Sequence, residues 1–173
     1  VRHHHYEFRR LKEVAAMSAR LEVPSAYLPA RYGAHAELPW IPSATPGKSS
    51  KPLRFFADER GFVELLRMAP GVTMPLHRHT GEIHAYNLSG SRRLCTGEVI
   101  GPGDYVYEPP GNTDWWQVVG EEPLVALVVV MGTVEFLDTD GAVCARASAT
   151  TQLAEYQRHC REHGLPVRDL IDR

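Results

Sequence analysis

Two histidines one residue apart, His77 and His79, are the pair in this chain best placed to do chemistry. In a β-strand, residues i and i+2 project from the same face. The two imidazoles would then stand side by side, with Leu76 and Arg78 on the opposite face, and together they can grip one divalent metal ion. His84 lies five residues beyond His79, past a turn at Thr80-Gly81 that can fold it back beside the pair. A second stretch, Gly101 to Trp116, places Glu108 before a Pro109-Pro110-Gly111 turn and Asp114 after it. Asp114 and His84 are equal candidates for a third metal ligand. Two histidines and one carboxylate would make the facial triad that suits non-haem Fe(II) oxygenases, with positions left open for O2 and substrate. Glu108 is a further candidate ligand and, with Tyr86, a candidate catalytic residue. Tyr86 shares a strand face with His84. Each residue also has a plainer use. Aspartate beside glycine and asparagine is a common turn residue, and a glutamate at a strand end commonly faces solvent.

These groups need a scaffold that brings several strands together. From Leu53 onward, short segments rich in β-branched and aromatic residues alternate with turn signals. Strands are expected near 53–57, 62–68, 74–79, 83–89, 91–95, 104–108, 115–119, 124–131, 133–138 and 143–147. Many short strands at this spacing mean an all-β sandwich or barrel. No alternating helical pattern that would build a parallel α/β sheet is present. Residues 1–52 read as an N-terminal helix over Phe8–Leu21 and a proline-rich extended arm. Residues 53–148 form the barrel. Residues 149–173 form a C-terminal helix, about Thr151 to His163, capped by Thr150 or Thr151 and closed by Gly164. The whole is one domain. Trp115 and Trp116 are adjacent, so only one can point inward. Phe136 and Met131 are expected on the pocket wall, and Arg92 and Arg93 are candidate partners for an acidic substrate group.

Bulk properties narrow the partners. The chain has 173 residues and a formal net charge of −2, so there is no electrostatic case for nucleic acid. No apolar run reaches membrane-spanning length. Three widely spaced cysteines, Cys95, Cys144 and Cys160, form no disulfide framework and no zinc knuckle. With no signal-peptide pattern, a reducing, cytoplasmic setting is the expectation. His3 to His5 carry no functional weight.

The spacing of the two histidine-bearing and carboxylate-bearing stretches resembles the two motifs of the cupins. The first motif matches from Gly71 through His77 and His79 to Gly90. The second matches through Gly103, Pro109, Gly111 and then position 114. The chain more narrowly resembles the 2,4′-dihydroxyacetophenone dioxygenase family over about residues 36–170. That resemblance rests on Glu37-Leu-Pro-Trp40, Lys51-Pro-Leu-Arg-Phe55, His77-Arg-His-Thr-Gly81, His84-Ala-Tyr86, Leu88-Ser-Gly90, Gly103 to Pro109 and Tyr156 to Leu165. It implies a double-stranded β-helix, or jelly-roll, barrel that binds Fe(II), with Zn(II) or another divalent ion as the alternative. It also implies a small-molecule substrate such as an aryl α-hydroxyketone, cleaved with O2, and a homodimer joined through its N-terminal arms. Two positions depart from the motifs. His84 stands where many cupins have glutamate, and Asp114 stands where the third histidine is usual. The departures keep open a non-redox lyase, isomerase or cyclase and a non-catalytic small-ligand-binding cupin.

Overall fold

Residues 35–172 are described in the computed structural model, so the helix expected over Phe8–Leu21 and the first part of the arm lie outside the described residues. After a single 3-10 turn, His35–Glu37, thirteen strands follow in chain order. They are β1 (Ile41–Pro42), β2 (Lys48–Phe56), β3 (Gly61–Met68), β4 (Thr73–His79), β5 (Ile83–Ser89), β6 (Ser91–Leu94) and β7 (Val99–Ile100). Then come β8 (Tyr105–Glu108), β9 (Thr113–Val119), β10 (Leu124–Met131), β11 (Val134–Leu137), β12 (Val143–Ala147) and, after helix α1 (Ala149–Glu162), β13 (Ile171–Asp172).

The strands form two sheets. One runs β1-β2-β3-β10-β5-β8, with β13 added to β2, and the other runs β12-β11-β4-β9-β6-β7. All pairings are antiparallel except that of β13 with β2. From β3 to β6 and from β7 to β11 successive strands alternate between the sheets, and this is the jelly-roll arrangement that the two motifs imply.

Alternation fixes which side chains meet inside. β10 buries Leu124, Ala126, Val128 and Val130 and turns the residues between them outward. β9 buries Asp114, Trp116 and Val118. Trp116 is therefore the inward tryptophan, and Trp115 is exposed. Two prolines sit inside strands, where a missing N–H is tolerated only at a break in the ladder. Pro52 lies at a register shift in β2. Pro75 lies at a bulge in β4, where Pro75 and Leu76 stand opposite the single residue Trp115 of β9. Gly81 turns β4 into β5 so close to β10 that any side chain there would collide with the Met131 carbonyl.

α1 starts at Ser148 rather than at the expected threonines. The Thr151 backbone N–H donates to the Ser148 hydroxyl, and the Ser148 N–H donates to the Thr151 hydroxyl, a reciprocal capping box. Thr151 thus serves as the cap's partner. Gly164 follows the helix with φ of 65°, a left-handed conformation that favours glycine. The inner face of α1 places Tyr156 and Cys160 in the core. No helix among the described residues is long and apolar enough to cross a membrane.

Candidate metal centre

The bulge in β4 makes the site. Met74 points inward, and unbroken alternation would then turn Leu76 and Arg78 inward as well. The extra residue at Pro75-Leu76 resets the phase. His77 and His79 become 3% and 4% exposed, while Leu76 and Arg78 face out. In the ladder, His77 lies opposite Asp114 on β9 and Phe136 on β11. His77 Nε2 is 3.3 Å from Asp114 Oδ1. The imidazole nitrogens of His77 and His79 and a carboxylate oxygen of Asp114 all lie within 4.8 Å of one another, and all three residues are buried.

Glu108 reaches the same place from the other sheet. It ends β8, is 7% exposed, and its Oε2 is 2.9 Å from His79 Nε2. Asn112 Nδ2 donates to the same carboxylate oxygen at 2.9 Å. Arg92, on β6, is buried with its guanidinium over the Trp116 ring and lines the same cavity. Arg93 faces out.

Electrostatics divide the roles. Burial, aided by the neighbouring His79, pushes the His77 pKa down to about 4, so its ring is neutral near pH 7. His77 Nδ1 lies 2.7 Å from the Pro75 carbonyl, which can only accept. The proton therefore sits on Nδ1, and Nε2 presents a lone pair, as a metal ligand must. Burial and the Glu108 charge push the Asp114 carboxyl up to about 6, although His79 and Arg92 pull it down. Burial also raises Glu108, but His79, Asn112 and Arg92 outweigh it and hold its carboxyl below the usual range.

A divalent metal fits these residues. Asp114 Oδ1 and both ring nitrogens of His79 are buried without a hydrogen bond of good geometry. Buried polar atoms are normally satisfied. The 3.3 and 2.9 Å separations are close to the spacing of adjacent ligands around one ion with bonds of about 2.1 Å. The donor set is imidazole and carboxylate with no thiol, which suits Fe(II), Zn(II), Mn(II) or Ni(II) over softer ions.

His84 and Tyr86 are not brought to this group, which corrects the expectation that they line it. β5 turns Ile83, Ala85 and Asn87 inward and His84 and Tyr86 outward. The inward position after the histidine pair belongs to Ile83, which lies opposite Glu108 in the ladder. His84 instead bonds the Tyr105 hydroxyl at 2.5 Å on the outer face and lies 3.4 Å from Glu82. Phe136 lines the cavity as expected, whereas Met131 is out of phase and Val130 takes its place. Lys48 and Glu64, both on the cavity wall, were absent from the sequence-based site. The cavity they share with His77, His79, Glu108 and Arg92 has a volume of about 110 Å3. It adjoins an outer hollow through Ser43, Ser50 and Gln152.

The Asp114 shift gives a pH expectation. A proton on Asp114 competes with metal, so affinity should hold above pH 6 and fall about tenfold per pH unit below it. Metal retained after dialysis at pH 7.5, 5.5 and 4.5 checks this, and uniform retention would exclude Asp114 as a ligand. The metal-free fold has the opposite sign. A carboxyl raised from 3.8 to about 6 contributes stability below its unfolded value that is lost as pH rises through 6.

Comparison with known proteins places this site in context. Residues 30–135 match the family model described as the ChrR cupin-like domain. An RmlC-like cupin protein of Ralstonia eutropha JMP134 is 26% identical, with a TM-score of 0.75 over 79% of this chain and 90% of that one. A second protein of the same organism, described as having a cupin-like fold and unknown function, is also 26% identical, with a TM-score of 0.68 over 73% and 81%. An acetylacetone dioxygenase of Acinetobacter johnsonii shares the fold at 14% identity and a TM-score of 0.64, over 80% of this chain and 96% of that one. No curated protein matches the chain.

Proposed function

We propose, from the premise that this chain belongs to the ChrR cupin-like domain family, that it is a metal-dependent enzyme, an Fe(II) dioxygenase that oxidises or cleaves a small ketone. The carrying observation is the buried His77, His79 and Asp114 group, whose two histidines line the cavity. Two imidazoles and one carboxylate would hold the ion and suit Fe(II). When bound, Fe(II) would supply the redox chemistry with O2. The protein's own part is placement. His77 keeps Nε2 unprotonated by donating Nδ1–H to Pro75. Phe62, Leu66, Val128 and Phe136 give the cavity apolar walls that exclude water. Glu108 is close enough to His79 to orient it and to take or return a proton at the cavity edge. The dioxygenase neighbour supports the reading only by sharing the barrel.

This reading takes O2 and a small organic molecule as partners, without nucleic acid, and a homodimer as the assembly. Exposed Tyr86, Leu88, Tyr105 and Tyr107 on the outer face of β5 and β8 support a dimer. Three free thiols suit a reducing cytoplasm. The test is O2 uptake by Fe(II)-loaded protein with a panel of aryl hydroxyketones, β-diketones and keto acids. Uptake with at least one compound, absent in Asp114→Ala, is the expected result. No uptake with any of them, at one iron per chain, would sink it.

Glu108 favours a second reading. An ionised carboxylate beside a Lewis-acid site is a general base for a lyase or isomerase. Turnover by Zn(II)-loaded protein without O2 would select that reading.

A further inference from the structure

Lys48 and Glu64 are two charged side chains inside the barrel that the metal centre does not use. They stand on β2 and β3, on the sheet facing the histidines, and line the same cavity as His77 and His79. Lys48 is half-buried and poorly partnered for a cation at a cavity wall. Its ammonium has one hydrogen-bond acceptor, Met74 Sδ at 3.6 Å, and lies 5.3 Å from the Phe136 ring centroid. Among the described residues, neither Lys48 nor Glu64 makes an ion pair within 4.0 Å. A cation lining a cavity without a close counterion is a place that a bound anion can occupy.

Two other features decide the sign of the ligand. The other cation of the cavity, Arg92, already has two carboxylates near it, Glu108 and Asp114. Lys48 has only Glu64, with which it makes no ion pair within 4.0 Å; burial pushes the Glu64 carboxyl up to about 7 and lowers the Lys48 pKa, while each charge favours the other. The Ser50 hydroxyl donates to the Glu64 carboxyl and lines the same cavity. A lysine ammonium across from a metal centre suits an acidic group on the molecule that the metal would hold.

We propose that Lys48 anchors a carboxylate of the substrate, so that the substrate class is a small keto or hydroxy acid. The proposal rests on the reading of this cavity as the substrate site and narrows it from ketones at large to those bearing a carboxylate. Gln152, from α1, and Ser43 line the cavity where it adjoins the outer hollow. They are uncharged, and the cation of the outer hollow, Arg158, is paired with Glu155 and Glu162.

Calorimetric titration of the full chain with levulinate and with acetonylacetone tests it. The two probes match in shape and in number of non-hydrogen atoms, and one carries a carboxylate where the other carries an acetyl group. The titration is run on Zn(II)-loaded and on metal-free protein. Wild type should bind levulinate roughly tenfold or more tightly than acetonylacetone, the effect of a charge-assisted contact. Lys48→Met, which keeps length and removes the charge, should erase that preference with zinc content and unfolding temperature maintained. Glu64→Gln, which cannot ionise, should keep it. Equal binding of the two probes, no binding of either by folded zinc-loaded protein, or a preference that survives Lys48→Met would overturn the proposal. A Lys48-dependent preference in protein that takes up no metal would uphold the anchor while removing the oxygenase reading.

Discussion

Asp114→Ala should strip the protein of its metal, while His84→Ala should leave metal content unchanged. The contrast follows from the two faces of the barrel. Asp114 places a buried, unpartnered oxygen 3.3 Å from His77 Nε2. His84 lies on the outer face, engaged with Tyr105. Loss of a partner that merely orients a ligand typically costs about 10–100-fold in metal affinity, and loss of a ligand should exceed that. His77→Ala and His79→Ala belong with Asp114→Ala. Asp114→His restores the residue usual at this position of the motif and should retain metal. Asp114→Ala also removes a buried carboxyl whose ionisation opposes folding, so the metal-free protein should not lose stability near pH 7. Metal loss is thereby separated from unfolding. Plasma mass spectrometry on protein lacking His3 to His5 reads the result. Metal kept by Asp114→Ala and lost by His84→Ala would invert the assignment.

The sequence already carries the histidine pair, the carboxylates at 108 and 114, and the strands on which they sit. The reason is periodic. β5, β10 and β12 follow two-residue alternation or unbroken apolar runs bounded by turn residues, and their observed limits equal those expected. What was not legible lies where alternation is interrupted. Pro75-Leu76 shifts the phase of β4, and only the ladder to β9 shows where the extra residue sits. In β5 a spacing of four residues after His79 would deliver His84, but the strand enters in the phase that presents Ile83. That single step moves His84 and Tyr86 together to the outside. β1, β7 and β13 are two residues long, too short for any period, and are held by pairing with a longer strand. Lys48 was assigned to the arm because Pro46 and Pro52 flank it. The strand nevertheless begins at Lys48 and carries Pro52 at a break in register. The positions hidden by these interruptions are those that decide which polar groups face the cavity.

Phe55→Ala should cost about 3–5 kcal/mol, a large part of the roughly 5–15 kcal/mol that holds a domain folded. Phe55 is 2% exposed, and its ring lies 6.4 Å, centroid to centroid, from that of fully buried Tyr156 on α1. Its backbone N–H donates to the Leu170 carbonyl at 2.8 Å, tying the C-terminal segment to β2. One residue thus joins a sheet, a helix and the tail. Tyr156→Phe is the control. It removes the hydroxyl that accepts from the Arg168 N–H, 2.9 Å away, and bonds Cys160, and should cost about 0.5–1.5 kcal/mol. Urea unfolding of metal-free protein measures both. A loss below 1 kcal/mol for Phe55→Ala would mean that α1 packs loosely on the sheet. The expected loss has a functional consequence, because β2 also carries Lys48 and Ser50, and α1 carries Gln152. The layer that Phe55 holds is the cavity wall facing the histidines. Phe55→Ala should therefore weaken levulinate binding before it weakens metal binding, since His77, His79 and Asp114 sit in the other sheet. Equal weakening of both would show that the two sheets respond as one unit.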